Sequence, residues 1–207
     1  PARELPFAGH PTIGTAWVLA TEQLLPKNTL RFNLEEGIGP VEVTLEGEST
    51  QPSFLWMRHG EARFGPELTR RASFAKALSL AESDLLAGAP ICTGSTGNAF
   101  LYIPLRDREG VDRARLDVPA LLAVRGEGPN VGVFVFAPDP DPKASRADKT
   151  NELIACHRVY SRMFAPHTSG IPEDPATGSA SGPLGAMRRP RGRGRPETPG
   201  VVLDAPD

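Results

Sequence analysis

The sequence predicts an α+β fold of two similar halves, each with strands gathered about a central helix, and three observations carry that prediction. One short motif is written twice, as Phe7-Ala8-Gly9-His10-Pro11-Thr12-Ile13-Gly14-Thr15-Ala16 and as Glu173-Asp174-Pro175-Ala176-Thr177-Gly178-Ser179-Ala180. The segment from Thr12 to Leu25 is apolar or small on nearly every face until Thr21, Glu22 and Gln23, the pattern of a helix buried all round and enclosed by a sheet. Among 207 residues there are 21 glycines and 22 prolines, about a fifth of the chain, which implies many turns between short elements and suits a strand-rich architecture.

In each copy of the motif a proton-handling side chain is followed at once by Pro, which is preorganised for the first position of a helix. Small residues that suit close helix packing come next. Each copy therefore reads as a helix start, where unpaired N–H groups and the positive end of the macrodipole make a site for a carboxylate or oxyanion. Two such starts, one headed by His10 and one by Asp174, predict a cleft between the halves. Either copy alone would read as an ordinary buried helix; the repetition points to function.

The elements follow in order. Asn28 to Leu34 reads as a short strand, and Gly37-Ile38-Gly39-Pro40 as a turn. Val41, Val43 and Leu45 alternate with Glu42, Thr44 and Glu46, the period of a half-buried strand, and Ser53 to Arg58 is a further strand. Phe74, Ala77, Leu78 and Leu80 predict an amphipathic helix outside the sheet, with Ser83-Asp84-Leu85-Leu86 as a short capped one. Ile91 to Asn98 is rich in turn residues and leads into a strand from Ala99 to Leu105. Thr93 and Gly94 are candidates for close ligand approach there, against a plain bulge or hairpin turn. Asp117-Val118-Pro119 reads as a cap entering a helix through Leu122, Asn130 to Phe136 as a central strand, and Cys156 to Phe164 as the last clear strand. His59, His157 and His167 read as turn, strand and loop residues without a role. The predicted division is 1–105, with a central helix from about 11 to 25, then 106–187, with one from about 175 to 187, then an atypical tail, 188–207.

Composition excludes several classes of function. Twenty-three basic against 25 acidic residues give no general electrostatic attraction to nucleic acid or an acidic membrane, so a small neutral or anionic substrate is expected. Cys92 and Cys156 have no partner at metal-ligand spacing and make a poor disulfide scaffold, which points to a reducing cytoplasm. With no apolar run of membrane-spanning length and no basic-then-apolar leader, a soluble, cytoplasmic protein is expected. From Arg188 to Pro196 the sequence is RRPRGRGRP, with nothing to bury, so the tail is expected to lack order. An RNA-binding tail is one reading and would require salt-sensitive binding; Arg, Pro and Gly are also what a shifted reading frame in a G+C-rich gene yields.

The two motif copies, together with Arg162-Met163-Phe164-Ala165-Pro166, resemble the PhzF-like phenazine-biosynthesis isomerase family, from Pro1 to about Met187. The resemblance implies a diaminopimelate-epimerase-like fold, each half a β-barrel wound around a central helix, with the active site between two helix starts. It also implies isomerisation of a small dihydro-hydroxyanthranilate-like carboxylate by proton transfer, with no metal or organic cofactor, in a homodimer. By the same resemblance His10 and Asp174 are catalytic, while Gly9, Gly178 and Ser179 bind the substrate carboxylate. The family's principal acid/base is a glutamate well upstream of the Gly-His pair, a position outside this sequence; Glu4 belongs to the lead-in and is not its counterpart. Cysteine racemases of the same fold use two thiols, and His10 and Asp174 in those places exclude that mechanism. The alternative is a truncated, catalytically impaired homologue that only binds a small carboxylate or dimerises.

Overall fold

The computed structural model describes residues 6–126, 131–139, 158–166, 172–175 and 177–187, and the backbone of 202–204. Cys156, His157, His167, Ala176 and the Arg188–Pro196 run lie outside the described residues. The fold is mixed α+β, and the chain forms two compact units: Pro1–Ala62 with Thr96–Asn98, and Arg63–Ser95 with Ala99–Asp207. The segments 63–95 and 99–105 pack in the second unit.

The first unit is a helix on a meander. Helix α1 (Gly9–Thr21) is followed by β1 (Arg31–Glu36), β2 (Gly39–Glu48) and β3 (Gln51–Met57). The strands pair antiparallel in the order β1-β2-β3. As the alternation predicts, Val41, Val43 and Leu45 are buried on one face of β2, opposite Leu34, Phe32 and Leu55 of the flanking strands. Ala16 and Ala20 of α1 complete that cluster.

The all-round burial expected of α1 does not hold. Its buried residues are Thr12, Ala16 and Ala20, one stripe at spacing i, i+4, i+8, whereas Trp17 is 46% and Val18 51% exposed. A three-stranded sheet can cover only one side of a helix, and among the described residues no closed barrel surrounds it. The helix also ends at Thr21 rather than about Leu25, because Gln23 takes a left-handed backbone (φ 56°) that no α-helix continues.

The second unit is a seven-stranded sheet with helices on both faces. Its elements are β4 (Arg63–Phe64), α2 (Arg71–Ala77), β5 (Cys92–Ser95), β6 (Ala99–Pro104), α3 (Arg108–Arg113), α4 (Val118–Arg125), β7 (Gly132–Pro138), β8 (Arg158–Phe164), β9 (Glu173–Asp174), α5 (Gly178–Met187) and β10 (Val202–Asp204). Strand order is β10-β8-β7-β6-β5-β4, and β9 pairs with β8. The β6–β7 pair is parallel, so its connection must cross over, and α3 and α4 supply the crossover. Asp107 and Asp117 start those two helices by accepting hydrogen bonds from Gly110 N and Ala120 N at 2.8 and 2.9 Å, each cap contributing about 1 kcal/mol.

Strands β6 and β7 are buried on both sides, which explains their nearly unbroken apolar runs. On one face Leu101, Ile103, Val133, Val135, Tyr160 and Phe164 pack with residues of α2, α3 and α4. On the other, Phe100, Tyr102, Phe134, Phe136 and Met163 pack with Ala180 and Leu184 of α5. The α2 helix lies outside the sheet as its pattern predicts, with its apolar side packed on the face opposite α5. Within the tail, Val202–Asp204 pairs parallel with Arg158–Tyr160, a strand that composition did not predict.

Candidate active site

The two motif copies start their helices differently. In the first copy the helix begins at Gly9, so that His10 stands inside its first turn and Pro11 follows. In the second the helix begins only at Gly178, leaving Asp174 in strand β9, ahead of α5. The expectation that Pro opens each helix is thus corrected: Pro11 lies inside α1, and Pro175 lies between β9 and α5. His10 belongs to the first unit and Asp174 to the second.

The start of α1 has no side-chain cap. Its N-cap, Ala8, has no side-chain oxygen, and the first backbone bond runs from Thr12 N to Ala8 O at 3.2 Å. Pro11 has no N–H, so Gly9 and His10 carry the donors of the first turn. His10 itself is exposed. Behind the turn, the Thr12 hydroxyl lies between the Ala8 carbonyl oxygen, 2.7 Å away, and the Glu36 carboxylate, a negative group placed favourably for the helix dipole.

The lead-in to α1 is fastened from several directions. Ile38 N donates to Pro6 O at 3.1 Å, and Asn98 Nδ2 donates to Phe7 O at 2.6 Å. Gly97 lies so close that a Cβ there would stand 2.8 Å from Phe7 Cβ. The His59 ring meets Phe7 edge-on at 5.4 Å, and its Nδ1 is 3.1 Å from Thr96 Oγ1. His59, read from sequence as a turn residue without a role, is therefore part of the support beneath Gly9 and His10.

Burial holds the His59 pKa below its ordinary value of 6.5. The groups shown facing it are the Phe7 ring and the Thr96 hydroxyl, neither of which carries a charge. A depressed histidine pKa means that the unfolded chain binds the extra proton first, so stability is whole above about pH 6.5 and declines as the pH falls below it. Thermal unfolding of His59→Gln should show a flatter pH dependence between roughly pH 5 and 6.5 than the unsubstituted chain. Identical pH profiles would show that His59 does not contribute.

In the second unit, Asp174 is half-buried and accepts a hydrogen bond from Thr177 Oγ1 at 2.8 Å. Gly178 and Ser179, the expected carboxylate binders, are the first two residues of α5, and Tyr102 Oη donates to Ala180 O at 2.8 Å just behind them. The sequence missed Thr177, although its spacing three residues after Asp174 is a signal for such a local bond. Thr93 and Gly94, weighed from sequence for close ligand approach against a plain bulge or hairpin turn, fall in a strand. Both lie in β5, and a Cβ on Gly94 would stand 2.9 Å from Tyr102 Cε2 and 3.0 Å from Phe64 Cε1, so glycine there serves ring packing.

Among the described residues no three His, Cys, Asp or Glu side chains are grouped to hold a metal ion, and no helix is long and apolar enough to cross a membrane. A surface concavity of the first unit, lined by Gln23, Lys27, Asn28 and Glu48, includes none of the motif residues.

A family model described as phenazine biosynthesis-like protein matches residues 1–196. The chain belongs to the phenazine biosynthesis-like protein family. The match extends past Met187, the limit of the motif resemblance, into the arginine-rich run. One relative in the family is an uncharacterized isomerase, YddE, of Salmonella typhimurium, 32% identical over 188 residues that make up 90% of this chain and 57% of that protein. Another, from Pseudomonas fluorescens, is named trans-2,3-dihydro-3-hydroxyanthranilate isomerase and is 29% identical over 192 residues, covering 89% of this chain and 55% of that protein. The crystal structure of a PhzF-family phenazine biosynthesis protein from Bacillus anthracis aligns with a TM-score of 0.68 at 26% identity, over 89% of this chain and 57% of that one. This chain thus spans somewhat more than half the length of the family relatives it matches.

Proposed function

We propose that this chain carries the ligand-binding and proton-handling groups of an isomerase acting on a small carboxylate-bearing metabolite of the dihydro-hydroxyanthranilate kind. His10 and Asp174 are proton-handling groups of that reaction, beside the principal acid/base that the resemblance puts outside this sequence. The backbone N–H groups of Gly9 and Gly178, with the hydroxyl of Ser179, hold the carboxylate. The observation that carries this reading is the α1 start, where Gly9 and His10 keep first-turn donors that the N-cap Ala8 does not cap with a side chain. A carboxylate set there gains charge-assisted hydrogen bonds and the favourable end of the dipole. Moving a proton between carbons needs one group that accepts it and one that supplies it, and an imidazole and a carboxyl side chain are groups of that kind. A relative's name, trans-2,3-dihydro-3-hydroxyanthranilate isomerase, gives the substrate class. Homodimerisation belongs to the same reading and is measured by light scattering.

The test is a titration of the chain with 3-hydroxyanthranilate followed by amide NMR. The amides of Gly9, His10, Gly178 and Ser179 should move together and saturate at one affinity. Saturating probe that leaves those four amides unmoved would refute the assignment.

A further inference from the structure

We infer that Arg162 and Glu173 are positioning residues that set the Asp174 carboxylate ahead of α5, a role that rests on the reading of Asp174 as a proton carrier. Strand β9 is only two residues long, with Glu173 opposite Phe164 and Asp174 opposite Met163 of β8. So short a ladder needs side-chain support to hold one position. Arg162 supplies it. Its side chain is 10% exposed, and it grips Glu173 with two bonds, Nε to Oε2 at 3.0 Å and Nη2 to Oε1 at 2.6 Å, the bidentate geometry that fixes direction as well as distance.

The same guanidinium is itself anchored. Arg162 Nη1 donates to the carbonyl oxygens of Val111, Asp112 and Ala114 at 2.7, 3.1 and 3.2 Å. These carbonyls belong to the end of α3, where unpaired acceptors and the negative end of the dipole favour a cation. One side chain therefore ties α3, β8 and β9 together. The pleat decides what this does for Asp174. Successive residues of a strand point to opposite faces, so Glu173 shares the face of Phe164, over whose ring the Arg162 guanidinium sits at 4.9 Å. Asp174 is carried to the face of Met163, which packs with α5, and Thr177 meets it there. Anchor and acid are adjacent in sequence because each faces its own side of the sheet.

The experiment compares the 207-residue chain, labelled with carbon-13, with Glu173→Gln and the milder Arg162→Lys. Each substitution should displace the Cγ resonance of Asp174, while amide resonances of the first unit stay in place. Solvent-deuterium exchange into trans-2,3-dihydro-3-hydroxyanthranilate should slow by up to about 100-fold, the usual cost of a displaced reacting group, with 3-hydroxyanthranilate affinity changed far less. An Asp174 Cγ resonance unaltered in a folded variant would overturn the inference; Arg162→Lys serves for this if Glu173→Gln does not fold. The two readings fail separately. If Asp174→Asn leaves exchange unchanged, Asp174 is not the proton carrier, whereas a displaced resonance in Glu173→Gln still establishes the positioning.

Discussion

Asp174→Asn is expected to slow solvent-deuterium exchange into trans-2,3-dihydro-3-hydroxyanthranilate by about 100-fold to 10,000-fold, the range for loss of a positioned acid or base. Asparagine has nearly the shape of aspartate, and its carbonyl oxygen can still accept the bond from Thr177 that Asp174 Oδ2 accepts at 2.8 Å. The substitution therefore removes proton exchange while keeping the side chain in place. Carboxylate binding at Gly9, Gly178 and Ser179 rests on backbone groups and one hydroxyl, so the affinity for 3-hydroxyanthranilate should change by much less than the rate. A rate within about threefold of the unsubstituted chain would remove Asp174 from the mechanism, because no positioned acid or base is so dispensable.

The largest effect on stability is expected from Phe136→Ala. Phe136 is 0% exposed, and its ring centroid lies 6.4 Å from that of Tyr102 and 6.2 Å from that of Phe134, within the cluster that seats Ala180 and Leu184 of α5. Truncation loses the transfer free energy of the ring and leaves a cavity between strands that helices hold on both faces. The cost should be about 3–5 kcal/mol, a large share of the roughly 5–15 kcal/mol that holds a domain together. Phe54→Ala is the contrast. That ring is 51% exposed, and its loss should cost about 0.5 kcal/mol or less. Urea unfolding of the two variants measures both, and equal costs would show that the packing around α5 is wrongly described.

Some of this was legible from residues alone, for physical reasons. The β2 alternation gave the correct inward face because one side of that strand is core and the other is not. The Asp117 cap gave α4, since a side chain that satisfies an orphan donor leaves a local signature. Strands β4 and β9 left none: two residues are too few to show a period. Helix α3 was missed because its six residues, REGVDR, are mostly charged, and only the Asp107 cap marks it. The burial of α1 was overestimated because apolar composition tells what a helix can bury, while the partners present decide what it does bury. At the candidate site, His10, Asp174 and the glycines stood out because the motif repeats. Their supports did not, since Glu36, His59, Asn98 and Arg162 reach their partners only through the fold.

The bond from Asn98 to Phe7 closes a span of 91 residues, and this bears on how the protein is made. A ribosome adding about 5–20 residues per second delivers Asn98 roughly 5–18 s after Phe7. The β1-β2-β3 meander needs only neighbouring strands, and hairpins form in about 1–10 μs, so it can be complete long before then. The segment leading into Gly9 and His10 cannot be, because its last fastening has yet to be synthesised. Slower synthesis between the emergence of the two residues would lengthen the time for which that segment is open to chaperones and proteases.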